Sequence, residues 1–323
     1  SEGIKAKVAT QPFTSVIAGE QRQFSAGSIM IPATSQQVEG WRSLVENYAN
    51  LHQITTYSVS TGLTVSGIDF GSRAFSVIDP VKVLLVGGKG SSQYEAADIL
   101  FYLDAQMHIP VSVVEQNRLN SIDLNDYTHI IMVDGRYHKF NKGVDKKLET
   151  WIKQGGVVFA QKRAAKWLSE KSILKVDFVT KEHINQLFDT SKLSYKDKEA
   201  LAGRKRIAGA IFKGKLDVSH PLSYGYSAEV LPLFRNSTLI MKKPTAPFIT
   251  VAQYAQEPLL SGYTDKNLVN KVANNAALVA HNLGSGRVIA TSDVLAFRGY
   301  WAGSAKLLAN SLFFAKAFSA TAN

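Results

Sequence analysis

Residues 81–90 read Val81-Lys82-Val83-Leu84-Leu85-Val86-Gly87-Gly88-Lys89-Gly90, a short apolar run that ends in glycines. The run lacks polar alternation and is too short for an ordinary helix, so it predicts a strand buried on both faces. The glycines supply a tight turn. Ser92 and Glu95 follow at the spacing of a capping box, in which serine oxygen and glutamate carboxylate satisfy free amides at a helix start. Ala96, Ile99, Leu100 and Leu103 then share one helical face. Strand, turn and amphipathic helix in that order begin a crossover between parallel strands.

The alternation continues downstream. Apolar strands are predicted at 111–114, 130–133 and 157–160. A helix carrying Val144, Leu148, Trp151 and Ile152 precedes Gly155, which is placed as its C-terminal cap. Another helix starts at 164, and further strands are expected at 207–212, 248–254, 276–281 and 287–291. A closing helix over about 304–318 carries Leu307, Leu308, Leu312, Phe313 and Phe314. Unbroken apolar strands separated by amphipathic helices predict an α/β fold, a flavodoxin-like doubly wound and mostly parallel sheet, over residues 80–323. Residues 1–79 predict a small N-terminal α/β extension that acts as a connecting subdomain. It has a strand at 28–32, a helix at 36–51, an alternating strand at 54–59 and a glycine-punctuated loop ending at Asp79-Pro80.

Bulk properties narrow the classes. With 323 residues, 45% hydrophobic and 20% charged, the chain can bury a sizeable core. The absence of cysteine excludes disulfides, thiolate metal sites and cysteine nucleophiles. No apolar run reaches about 18 residues, so no membrane span is expected. The formal net charge is +11, with a dense basic stretch at Lys192, Lys196, Lys198, Arg204, Lys205 and Arg206. Aromatic residues do not alternate with these bases, so a solvated face is expected rather than a nucleic-acid platform.

Candidate chemistry is sparse. None of the seven histidines stands in His-x-x-Glu or His-Glu-x-x-His spacing, so no metal and no cofactor is expected in this chain. The turn after strand 157–160, where a hydrolase or amidotransferase places Ser or Cys, reads Gln161-Lys162-Arg163-Ala164. Lys162 there suits a Schiff-base amine or, more ordinarily, a solvated lysine. The glycine turn with Glu115 resembles a phosphate loop and its ribose acid, but Gln93 stands where the last glycine belongs, and a plain turn is expected. Asp217, Ser219 and His220 supply triad residue types within one turn, although triads are assembled from separate elements. Asp293 and Arg298 follow the last strand, either orienting a small polar ligand or forming a buried ion pair. No catalytic residue is assigned. Gly88, Gly90, Arg136, Lys162, Asp293 and Arg298 are the candidate ligand-binding residues, at the carboxyl edge of the sheet.

Three stretches carry a resemblance: TGLTVSGIDFGSRAFSVIDPVKVLLVGGKG at 61–90, IAGAIFKGKLDVSHPLSYGY at 207–226, and PLLSGY at 258–263 running on to GSGRVIATSDVLAFRGYWAGSAKLLANSLFF at 284–314. From about Gly27 onward the chain resembles the C-terminal region, a class I glutamine amidotransferase-like domain, of bacterial zinc carboxypeptidase-family proteins. The resemblance implies a periplasmic or secreted parent whose peptidase domain, with its zinc, lies upstream in the same polypeptide. It implies a non-catalytic accessory module supporting that domain or its peptide substrate. The alternative is a stand-alone binding module for a small anionic or saccharide ligand at the carboxyl edge.

Overall fold

The computed structural model describes residues 3–137, 140 and 142–321. Its contacts fall into two units, one running to Pro80 with Lys316–Phe318 and one beginning at Val81. In the first, strands β1 (Ala6–Ala9), β2 (Phe13–Ile17), β3 (Glu20–Phe24), β4 (Ile29–Met30), β5 (Ser66–Gly67) and β6 (Phe75–Ile78) form two antiparallel sheets ordered β4–β1–β6 and β3–β2–β5. Their small core gathers Ala9, Phe13, Ile68 and Phe75, with Phe24 stacked on Phe13 at 4.9 Å. Helix α1 spans Trp41–Leu51. The strand predicted at 54–59 does not form. Its residues have no ladder partner, and Ile54 is 62% exposed. Alternation alone does not make a strand without a neighbour to accept its hydrogen bonds.

The second unit opens with β7 (Val83–Gly87) and α2 (Gln93–Leu100), which continues as a π-helical turn, Phe101–Gln106. There follow β8 (Val111–Glu115), β9 (His129–Met132), α3 (Val144–Lys153), β10 (Val157–Gln161), α4 (Arg163–Glu170), α5 (Lys181–Gln186) and α6 (Lys198–Arg204). The chain then runs through β11 (Ala210–Leu216), β12 (Val230–Arg235), β13 (Thr250–Ser261), α7 (Lys266–Val272), β14 (Ala276–Leu283), β15 (Gly286–Thr291) and α8 (Ala302–Phe313). All nine strands share one sheet in the order β12–β11–β13–β14–β15–β10–β9–β7–β8.

This is an α/β fold on a mixed sheet. From β15 to β8 neighbours are parallel, and from β15 to β12 they are antiparallel. The expected mostly parallel sheet is thus parallel over only about half its width. The switch comes at the Leu283-Gly284-Ser285-Gly286 hairpin, whose two-residue connection can only reverse the chain. No strand is predicted at β12, which has Pro232 inside it. That proline is tolerated because β12 is the outer strand and pairs with β11 alone. Strands β7, β9 and β10 are buried along their length, which explains their unbroken apolar runs. No helix among the described residues is long and apolar enough to cross a membrane.

The turn after β11 disposes of the triad reading. Asp217 Oδ1 accepts from the Ser219 N–H at 3.0 Å and from its hydroxyl at 2.5 Å, so the serine is held by the aspartate. His220 is buried, and its Nδ1 accepts from the Leu222 N–H at 3.1 Å at the start of a short 3-10 turn. Burial disfavours the imidazolium and lowers the His220 pKa to about 4. The unfolded chain, with His near 6.5, binds the extra proton first, so stability falls as pH drops from 6.5 towards 4. We expect His220→Asn to remove up to about 3 kcal/mol of that loss, measured as urea unfolding free energy against pH. An unchanged slope in the variant would exclude His220 as its source.

Candidate functional site

The carboxyl ends of the parallel strands gather the unusual side chains. Lys162 joins β10 to α4 with φ 49° and ψ −114°, a conformation that a non-glycine residue holds only under strain. A sharp strand-to-helix turn of this kind projects its side chain at the head of the sheet. Its N–H is tied to Thr291 O at 2.8 Å, on the neighbouring strand. The expected solvated lysine is overturned, because Lys162 is 3% exposed. Its Nζ lies 2.5 Å from Glu95 Oε1 and also donates to Asn236 Oδ1. Two partners satisfy an ammonium that burial would otherwise leave costly.

Glu95 explains the local geometry. Ser92 accepts from the Glu95 N–H at 3.4 Å, which is one half of the predicted capping box. The other half does not close, since the glutamate turns inward to the lysine and accepts the Asp134 N–H at 3.2 Å. Desolvation raises the Glu95 pKa, opposed by the Lys162 charge. Beside it, Arg163 grips Asp134 in a two-pronged ion pair, Nε to Oδ1 at 2.6 Å and Nη2 to Oδ2 at 2.7 Å.

A cleft of about 540 Å³ opens over these groups, lined by residues including Asp134, Arg163, Lys205, Arg206, Asn236 and Leu239. Lys205 and Arg206 follow the end of α6. The Lys205 ammonium sits 5.7 Å from the Phe188 ring centre and 3.4 Å from Asn185 Oδ1. Arg206 has no ion pair among the described residues. Three cations therefore face one carboxylate, which Arg163 already holds.

The wall at residues 236–239 is fixed from below. Arg235, at the end of β12, is fully buried with Asp293, and Nη1 reaches Asp293 Oδ1 at 2.9 Å. The same nitrogen donates to Tyr254 Oη at 2.7 Å and Ser292 Oγ at 3.0 Å, while Tyr254 donates to Asp293 Oδ2 at 2.6 Å. Nη2 donates to Leu239 O and so clamps the loop.

The six candidate residues separate on this frame. Lys162 stands next to the cleft wall through Asn236. Asp293 lies beneath that wall, completely buried, so in this conformation it cannot touch a ligand. Its predicted partner Arg298 is replaced by Arg235. Arg298 stacks on Phe297 at 5.2 Å and gives its backbone N–H to Asp98. Gly88 and Gly90 have φ of 72° and 97°, which favours glycine. A Cβ on Gly88 would stand 2.6 Å from Glu115 Cγ, so the glutamate side chain packs against the turn where any larger residue would carry its own. Gly90 O accepts the Arg136 N–H at 2.7 Å, which joins those two candidates through backbone alone. Sequence reading missed Glu95, Asp134, Arg163, Arg235 and Asn236 as site residues. From sequence Glu95 reads as a cap, Arg163 as a cation of the basic turn, and Lys205 and Arg206 as part of a solvated basic face, and the structure puts the last two on the cleft wall. Among the described residues no cluster could hold a metal ion, and His138 lies outside them.

No family model and no curated protein matches the chain. Solved structures do. A ThuA-like protein of Parabacteroides merdae aligns at 15% identity over 76% of this chain and 93% of its own, with a TM-score of 0.50. A ThuA-like protein of Bacteroides uniformis aligns at 10% identity over 72% and 89%, with a TM-score of 0.41. A cytoplasmic protein of Salmonella typhimurium LT2 aligns at 14% over 73% and 97%, with a TM-score of 0.39. The chain has the ThuA-like, glutamine amidotransferase-like fold. The zinc carboxypeptidase resemblance is corrected by the same finding, because the matched fold accounts for nearly the whole of a ThuA-like chain and not the tail of a peptidase. The expected parent peptidase, its zinc, its peptide substrate and export rested on that likeness alone and lose their ground.

Removing one member of the Arg235–Asp293 pair leaves a buried charge unpaired. We expect Asp293→Asn or Arg235→Met to cost about 3–5 kcal/mol in urea unfolding, with Tyr254→Phe costing about 1–2 kcal/mol. A loss below about 1 kcal/mol for both charge variants would show that the pair does not hold the loop.

Proposed function

We propose that this chain is a binding module for a small anionic ligand, held in the cleft between α6 and the loop after β12. The observation that carries the reading is the charge of the cleft. Arg163, Lys205 and Arg206 meet there, and the single carboxylate, Asp134, is already paired. A concave site with surplus positive charge concentrates anions. The parallel half of the sheet supports a flavodoxin-like wound reading, since its strands in chain order occupy positions 2-1-3-4-5. In such sheets ligands lie outside the carboxyl ends of the strands, where this cleft is found. Neither serine nor cysteine stands at the strand-to-helix turn, so the reading contains no acyl-enzyme chemistry.

Titration calorimetry with inorganic phosphate, pyruvate and glucose tests this. The two anions are expected to bind and glucose is not. Lys205→Ala combined with Arg206→Ala is expected to weaken both anions about tenfold or more, the worth of one charged hydrogen bond. Raising salt should weaken them further. Equal binding by the double variant, or binding of glucose in place of the anions, would overturn the reading.

A further inference from the structure

The anion-binding reading leaves the most unusual group at the site without a use. Lys162 is a primary amine on a strained strand-to-helix turn, sequestered from solvent, and its Nζ shares hydrogen bonds with a carboxylate and an amide oxygen. The amide belongs to Asn236, which itself lines the cleft. A ligand that displaces one side chain therefore reaches Nζ, while its anionic end remains among Lys205, Arg206 and Arg163.

We infer that Lys162 captures the carbonyl carbon of a small oxo acid as a reversible imine, with Glu95 moving the proton. The inference rests on the anion-binding reading of the cleft, which supplies the hold on the carboxylate. The atoms balance without a further reactant. The ammonium first passes a proton to Glu95 Oε1 along the 2.5 Å contact. Two neutral groups then replace a buried ion pair, a change that low polarity favours. The free amine attacks the carbonyl carbon, the C–N bond forms, and the oxygen takes a proton from nitrogen to give a carbinolamine. Glu95 returns its proton to that hydroxyl, which leaves as water as the C=N bond forms. The product is an iminium beside the restored carboxylate, and hydrolysis reverses every step. Glu95 suits both transfers because burial favours its protonated form while the lysine charge favours the carboxylate. Desolvation disfavours the charge on a lysine and is one route to a nucleophilic amine. Lys162 is sequestered in this way, and the fold alone brings it the carboxylate that takes its proton, since Glu95 is 67 residues away in sequence.

Reductive trapping tests the inference on the full chain. Pyruvate and cyanoborohydride are added, and peptide mass mapping locates the reduced adduct. The expected result is one saturable adduct on the peptide carrying Lys162, suppressed at least fivefold by excess inorganic phosphate. Lys162→Arg, which keeps the charge facing Glu95, should abolish that adduct while phosphate binding by calorimetry persists. Glu95→Gln should slow trapping at least tenfold. Adducts spread over exposed lysines with Lys162 unlabelled would overturn the inference and leave the anion site standing if phosphate still binds. Absence of both the adduct and phosphate binding would overturn both readings. Trapping at Lys162 that phosphate does not suppress would separate the amine from the cleft and overturn the inference in its oxo-acid form.

Discussion

The ion pair between Arg235 and Asp293 is the constraint on which the site depends. Both side chains are fully buried, and two charges in such a place are tolerated only when their hydrogen bonds are nearly all made. Tyr254, Ser292 and the Leu239 carbonyl complete the set. The pair also solves a topological problem. It connects β12, the outermost antiparallel strand, to the residues just beyond β15, the hairpin strand at which the parallel half begins, across the strands between them. Because Arg235 is the last residue of β12, whatever holds its guanidinium also holds Asn236 and the loop behind it. The cleft wall is thus set by a core interaction rather than by a surface loop free to choose its own shape.

The second buried pair, Lys162 with Glu95, is assembled on the same principle from the other side. The β10–α4 turn sets the lysine, and the first turn of α2 sets the glutamate. Asn236 is shared between the two systems, since it follows Arg235 in sequence and accepts from Lys162 in space. Antiparallel and parallel halves of the sheet, already joined by Arg235 and Asp293, therefore meet again at this amide side chain. An interior ammonium, a carboxylate and an amide oxygen in contact form an arrangement whose members are each costly to bury alone. Their cost is offset only while all are in place, which makes the cluster sensitive to single substitutions.

Much of the fold was legible because burial on both faces leaves a plain signature. The run Val83–Val86 and its counterparts in β9 and β10 are apolar for a physical reason, since helices cover both sides of a central parallel strand. The antiparallel half was less legible. Its strands mix buried and exposed positions, β12 contains a proline, and β11 pairs with β13 through register shifts. The site was legible only in part. Lys162 could be placed at the head of a strand from local sequence, but its partners come from Glu95 and Asn236, 67 residues before it and 74 after it. Asp293 was found and its partner misassigned, because the nearby Arg298 was in the sequence window and Arg235, 58 residues off, was not. The zinc peptidase resemblance failed for a related reason. A likeness of fold does not carry a parent's chemistry with it.

Amide chemical-shift mapping during titration with pyruvate tests the central claim most directly, because it locates the ligand without assuming a reaction. The expected shifts cluster at Arg163, at residues 205–207 and at residues 236–239, and they saturate together with one dissociation constant. Shifts centred on Gly88–Ser91 in their place would move the ligand to the glycine turn, and the absence of saturable shifts at any of these positions would contradict an anion site at the head of this sheet.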